Sequence, residues 1–243
     1  MQDGQMLYDT ATAWNKQAWD TDDVVTLLLN EHTIKEVIVV GIWNGGIIRH
    51  KDYFPQKPFE SLTQIEKDTI TSQPQRAGRS KEIFASNSDN YLKFLVTELK
   101  PLIDKTYSTK TDRKNTFIVG NSMGGLISIY AFFEYPNVFG GAACLKTHWP
   151  GVWSMENNSL PNAFISYLKT HLPNLKRNRI YFDYGDQTLD ALYPALQKKV
   201  DEVMLSKGFT QKNWLTKFFP GENYSEQAWN KRLHIPLQFL MKK

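Results

Sequence analysis

The stretch from Thr116 to Ala131 (Thr-Phe-Ile-Val-Gly-Asn-Ser-Met-Gly-Gly-Leu-Ile-Ser-Ile-Tyr-Ala) limits what this chain can fold into more than any other. Phe117, Ile118 and Val119 form a short apolar run that predicts a buried strand. The run enters Gly120-Asn121-Ser122-Met123-Gly124, a G-x-S-x-G pattern, and a small-residue apolar helix is expected from Gly125. Strand, tight turn and helix in that order are the setting of a nucleophile elbow. Glycine two residues before and two after the serine removes side chains that would meet neighbouring backbone. Ser122 Oγ would stand above the sheet edge at a helix N-terminus, where free N–H groups and the dipole favour developing negative charge. The competing reading is a glycine-rich turn that holds a structural serine.

A chain of 243 residues suits one domain, 1–243, with a core of ordinary size. Apolar content of 41% and charge of 22% exclude a disordered chain. The net charge is +4 and the 29 Lys and Arg are scattered, so no basic stripe is offered to nucleic acid. Cys144 is the single cysteine and lies in the apolar run Gly141–Leu145, which predicts a small buried side chain rather than a disulfide. No apolar run reaches the length of a membrane span, and Met1-Gln-Asp-Gly is not a signal peptide. A cytoplasmic location is expected if Met1 is the true start, and a secreted or periplasmic one if the chain is processed or truncated.

Along the chain, residues 1–9 read as a loop, 22–30 as a helix with an acidic first turn, and 35–42 as a β-branched strand buried on both faces. Residues 43–85 read as a long loop region with a short helix at 65–71. Its aromatic residues Trp43, Tyr53, Phe54 and Phe59 either line a pocket or pack the loop against the body. A helix is expected over 89–107 with Pro101 as a kink, then the elbow. Strands at 141–145, 179–184 and 214–219 alternate with helices at 160–172, 189–207 and 227–241. That alternation predicts an α/β architecture with a mainly parallel sheet and active residues at the carboxyl ends of its strands. No spaced cluster of His, Asp and Glu suggests a metal.

Four segments, Asp3-Gly-Gln-Met-Leu-Tyr-Asp9, Val40-Gly-Ile-Trp-Asn-Gly-Gly46, Gly120-Asn-Ser-Met-Gly-Gly125 and Ser225-Glu-Gln-Ala-Trp229, carry a resemblance. In kind and order they resemble the esterase D-like, feruloyl-esterase-like and siderophore-esterase-like group of α/β-hydrolases. The resemblance implies the α/β-hydrolase fold and hydrolysis of a small-molecule ester by a serine, a histidine and an acid, without metal or organic cofactor. It implies oxyanion donors from the N–H of Met123 and from the loop at Gly4 and Gln5. It also implies a strand before that loop, so the sheet here is expected to lack its N-terminal strands. An open sheet edge would favour a homodimer.

The position that carries histidine in the group is Tyr224 here. A tyrosine, with a pKa near ~10, is a poor general base at neutral pH. Among the five histidines, His32, His50 and His171 read as solvated or remote, and His234 as a helix-surface residue. His148 follows a strand beside Trp149, so it is either a replacement base or a pocket-wall residue. Asp190, within the matching Thr188-Leu-Asp190, is the first candidate for the acid, Asp186 the second and Asp183 the third; either of the first two could instead cap the following helix. Two functional readings stay open: a serine esterase acting on an acylated sugar or aryl ester, and an inactive hydrolase fold kept for binding or structure.

Overall fold

The computed structural model describes residues 1–72, 86–172, 178–222 and 225–242. The chain before the sheet is helical and irregular. Helix α1 spans Thr21–Asn30, α2 Arg49–Tyr53, α3 Gln56–Glu60, α4 Gln64–Ser72, α5 Ser88–Phe94 and α6 Lys100–Thr106. Strand β1 (Phe117–Asn121) then leads into α7 (Met123–Glu134), and β2 (Gly141–Leu145) into α8 (Leu160–His171). Strand β3 (Arg179–Tyr184) leads through a 3-10 turn into α9 (Tyr193–Ser206), and β4 (Trp214–Phe218) is followed by α10 (Glu226–Asn230) and α11 (His234–Met241).

The four strands are parallel in the order β1-β2-β3-β4. Period-two alternation sends Ile118, Ala142, Cys144, Ile180 and Phe182 into the layer of α7, α8 and α9. Val119, Ala143, Leu145 and Tyr181 face the opposite layer, built from the start of the chain, α1 and α11. Helix α7 is buried almost all round, which is why its sequence shows no polar face. Cys144 is buried and reduced.

Four expectations change. Residues 35–42 are extended but not a strand of the sheet; Lys35 N–H bonds Met241 O, and among the described residues no backbone bond joins 36–39 to β1. A strand needs a partner along its hydrogen-bonding edge, and here a cavity of about 900 Å³, lined by Val37, Val39, Leu99, Ile118 and Met241, lies between 35–42 and β1. Met1 and Gln2 span its upper end. The Met1 amino group donates to Val40 O (2.7 Å), Ile42 N–H donates to Met1 O (2.9 Å), and Gln2 N–H reaches Val119 O (2.8 Å). Burial lowers the Met1 amino group to about 5, against the attraction of Asp3.

The expected 89–107 helix contains a π-turn over Leu95–Leu99, closed by Lys100 N–H on Leu95 O. Pro101 cannot donate to a carbonyl four residues back, and the widened turn absorbs that loss. The expected 227–241 helix is two helices. Pro236 denies its N–H to Arg232, and the break falls over 231–233, with Ile235 N–H on Arg232 O at 3.0 Å. Finally, the described part of 43–85 is mostly short helices. Tyr53 and Phe54 are fully buried and Phe59 packs on the core, so three of its four aromatics fasten it to the body. Residues 73–85 lie outside the described residues.

Candidate active site

Strand β1 ends at Asn121, and Ser122 takes φ 57°, ψ −123° before α7 begins at Met123. Such a backbone costs on the order of 1–3 kcal/mol for a residue with a side chain and persists only where its surroundings enforce it. Ser122 N–H donates to Leu145 O (2.9 Å), and Ser122 O accepts from Leu126 N–H (3.0 Å) and His148 N–H (3.2 Å). Ser122 Oγ makes no hydrogen bond with the described residues. A Cβ on Gly120 would collide with the Gly124 carbonyl, so the turn closes only with glycine there.

The start of the chain is pinned over this turn. Asp3 has φ 55°, its N–H donates to Tyr53 Oη (3.1 Å), and its carboxylate takes Arg49 Nε (2.6 Å), Arg49 Nη2 (2.8 Å) and Asn44 Nδ2 (2.7 Å). Tyr91 donates to Gln2 Oε1. A Cβ on Gly4 would stand 2.5 Å from Gly41 C, so only glycine allows this approach. Of the expected oxyanion donors, Gly4 N–H is committed to Ile42 O (2.7 Å). The N–H groups of Gln5 and Met123 have no acceptor among the described residues. Asn44 N–H fixes Gln5 Oε1 (3.2 Å), and the neighbouring Trp43 is 65% exposed.

Beside Ser122 lies a buried charge cluster that the sequence reading did not foresee. Lys146, with φ 43°, follows β2, and its N–H bonds both Asp183 O (2.9 Å) and Asp183 Oδ1 (3.0 Å). Lys146 Nζ pairs with Asp190 Oδ2 at 2.5 Å, and both side chains are 0% exposed. Gly185 N–H also reaches Asp190 Oδ2 (3.2 Å), while Oδ1 is buried without a hydrogen bond among the described residues. Arg232 is 4% exposed and stacks on the Phe219 ring (4.3 Å), and its three nitrogens have no hydrogen-bond partner among the described residues. Burial lowers the Lys146 pKa and raises that of Asp190, each opposed by the attraction of the other. Burial likewise lifts Asp183 to about 6, opposed chiefly by Arg232. The sequence signal was a lone lysine closing the apolar run Gly141–Leu145, at a strand's carboxyl end.

Asp183 supplies a pH test. A carboxyl raised from 3.8 to about 6 stabilises the fold through its protonated form, fully below the unfolded value and progressively less as pH rises through 6. Asp183→Asn keeps a neutral group at every pH. Its stability relative to the parent should therefore improve between pH 4 and 7.5, by up to roughly 3 kcal/mol. Urea unfolding at the two pH values reads this, and a pH-independent difference would count against it.

The remaining predicted residues fall in different places. His148 is not open towards Ser122: its Nδ1 bonds Tyr193 Oη (3.0 Å) and its Nε2 bonds Val152 O (3.1 Å), which corrects the replacement-base reading. Trp149 is 1% exposed, donates Nε1 to Gln197 Oε1 (2.9 Å) and packs on Phe182, so it belongs to the core and not to a substrate wall. His50, read as solvated or remote, is buried, stacks on Phe54 and bonds Gly151 O (3.1 Å). Asp186 braces the loop by accepting from Gln187 Nε2 (3.0 Å) and Gly221 N–H (2.8 Å), contacts that in that order hold its carboxyl below the usual range. Tyr224 lies outside the described residues. Among the described residues no group of three or more His, Cys, Asp or Glu could hold a metal ion, and no helix is long and apolar enough to cross a membrane.

The chain resembles several proteins. An uncharacterized protein, YbbA, of Bacillus subtilis (strain 168) is 24% identical over 135 residues, 53% of this chain and 50% of that protein. The enterobactin esterase FES from Shigella flexneri superposes with a TM-score of 0.66 at 15% identity, covering 98% of this chain and 51% of that one. An IroE-like serine hydrolase from Shewanella oneidensis gives a TM-score of 0.65 at 18% identity, covering 98% of this chain and 67% of that one. The chain thus spans about half the length of the first two relatives, and the likeness to the solved structures establishes the α/β-hydrolase type of fold. The family model described as "Putative esterase" matches residues 1–235, and the chain belongs to that family.

Proposed function

We propose that this protein descends from serine esterases and acts on a carboxylic ester, an acylated sugar or an aryl ester, through an acyl-enzyme on Ser122. The observation that carries this reading is the turn itself. Ser122 is held at φ 57°, ψ −123°, and among the described residues its hydroxyl is uncommitted and the N–H groups of Met123 and Gln5 have no acceptor. Paired donors of that kind are what a tetrahedral intermediate's oxygen needs. Ester carbon attack by Ser122 Oγ would put the negative charge on the former carbonyl oxygen, and collapse would expel the alcohol. Asp190 is the acid of this reading and Trp43 offers an aromatic face to an aryl group.

A second reading is favoured by one feature of the site: no base touches Ser122 Oγ among the described residues, and the group's histidine position holds Tyr224. In that reading the fold is kept for binding or structure. Hydrolysis of p-nitrophenyl acetate by the parent, Ser122→Ala and Tyr224→His separates the two. If Ser122 is the nucleophile, either the parent or Tyr224→His exceeds Ser122→Ala by about 100-fold or more, the usual scale of general-base assistance. Equal, background rates from all three favour the binding protein.

A further inference from the structure

Residues 35–42 and β1 stand apart by the width of one more chain, and Met1 and Gln2 fill the upper end of that gap. Met1 makes both bonds that one residue makes in a parallel ladder: its amino group donates to Val40 O (2.7 Å) and its carbonyl accepts Ile42 N–H (2.9 Å). Gln2 N–H reaches Val119 O (2.8 Å) on the other side. Two chains that both bond a third lie two strand spacings apart, ~9.6 Å. Below Met1 the gap is the cavity of about 900 Å³, far larger than a packing defect. Alternation puts the N–H and C=O of Ile38 on the edge of Val40 and Ile42, and those of Phe117 on the edge of Val119. Among the described residues neither has a backbone partner across the slot. Facing rows of backbone donors and acceptors call for a third backbone, because an acyl chain satisfies neither row. The walls are apolar towards both layers, Leu99 and Ile118 on one side and Leu240 and Met241 on the other, which suits a strand buried on both faces.

The two ends of the slot differ in charge chemistry. Lys35, Lys114 and Lys212 line it at or just before the amino ends of 35–42, β1 and β4, and all three are exposed. Of the two lining carboxylates, Asp104 is taken by Lys100, which leaves Glu36 against them. The upper end carries the Met1 amino group, whose one hydrogen bond among the described residues goes to Val40 O, although an ammonium has three donors. We propose that the slot is a docking site for the extended carboxyl-terminal segment of a partner polypeptide, lying parallel to β1 with acidic residues at the lysine mouth, apolar residues in the slot and its terminal carboxylate on the Met1 amino group. Such a segment bonds both neighbouring edges and joins 35–42 to the sheet. Docking here does not depend on what Ser122 does.

The experiment titrates the full chain into the peptide Asp-Glu-Asp-Val-Val-Ile-Val, labelled with fluorescein at its amino end and free at its carboxyl end, and follows anisotropy. Expected is one-to-one binding with a Kd of about 100 µM or tighter. Amidating the carboxyl end, or placing proline at the second valine, should each weaken binding about 10-fold, the first by removing the charge that meets Met1 and the second by removing a ladder N–H. Lys114→Glu, an exposed change, should weaken it about 3-fold or more at low salt without moving the melting temperature. Hydrogen exchange should show new protection at the amides of Ile38, Phe117 and Val119 when the peptide is bound. Equal binding of the proline peptide, or protection that spares those amides, overturns backbone docking. So does the lack of binding at about 1 mM peptide, and so does laurate binding in place of the peptide, which would make the slot a cavity for an anionic amphiphile. If light scattering shows a dimer whose amides at Ile38 and Phe117 are protected before peptide is added, the occupant is a second copy of this chain and the proposal falls.

Discussion

Gly120→Ala is expected to lower stability by about 3 kcal/mol or more, beyond the ordinary cost of one extra methyl group in a core. The added Cβ would overlap the carbonyl carbon and oxygen of Gly124 and approach Gln2 Cγ to 2.9 Å. Two of those three atoms are backbone, so no rotamer change relieves the contact. Either β1 must retreat from β2 or the first turn of α7 must lift, and Ser122 is the joint between them. For a chain of this size the loss corresponds to roughly a 10 °C drop in melting temperature. Gly124→Ala is the control. Its Cβ would meet the side chains of Asp3 and Gln2 at 3.1 and 3.2 Å, longer contacts than those at Gly120 and made with side-chain atoms rather than backbone, so a smaller loss is expected. Thermal unfolding of both variants decides the matter; a Gly120 variant as stable as the Gly124 variant would show that the turn is not closed by backbone contact.

The same turn shows why the sequence was informative where it was. Gly120, Ser122 and Gly124 act on one another within five residues, so spacing alone carries the geometry. The four paired strands were legible because each is short, rich in apolar or aromatic residues and followed within two residues by glycine, proline or a polar residue. Residues 35–42 carry the same signature and yet join no strand, because pairing depends on what lies alongside, between them and β1, and not on their own composition. Pro101 and Pro236 were visible, but only the fold shows that one is absorbed by a π-turn and the other splits a helix.

Side-chain contacts between distant residues were the least legible part of the site. His148 was correctly placed at a strand's end, but its ring is bound by Tyr193, 45 residues later in the chain. Its neighbour Trp149 points the other way, into the core against Phe182. Lys146 follows the apolar strand 141–145 and drew no reading from the sequence, because nothing local links it to Asp190. Each of these outcomes depends on helix α9 and its leading turn packing over the carboxyl ends of β2 and β3.

The Lys146–Asp190 pair should also dominate the stability of this region, and unequally for its two members. Asp190→Leu leaves Lys146 and Arg232 buried with Asp183 as the one carboxylate of the cluster among the described residues, an uncompensated positive charge that should cost about 3–5 kcal/mol. Lys146→Met leaves two carboxylates against Arg232. At pH 8 the cost should be similar, but Lys146 helps to hold Asp183 down, so without it Asp183 rises further above 6 and takes a proton more readily in the variant than in the parent, removing the excess charge at pH 5. The penalty for Lys146→Met should therefore shrink by about 1–2 kcal/mol between pH 8 and pH 5, whereas that for Asp190→Leu should not shrink. The double variant, Lys146→Met/Asp190→Leu, removes both charges and should lie within about 1–2 kcal/mol of the parent. Urea unfolding of the three variants at the two pH values completes the cycle. Additive single costs in the double variant would mean that the two side chains do not neutralise each other, and that Asp183 rather than Asp190 is the counter-ion of Lys146.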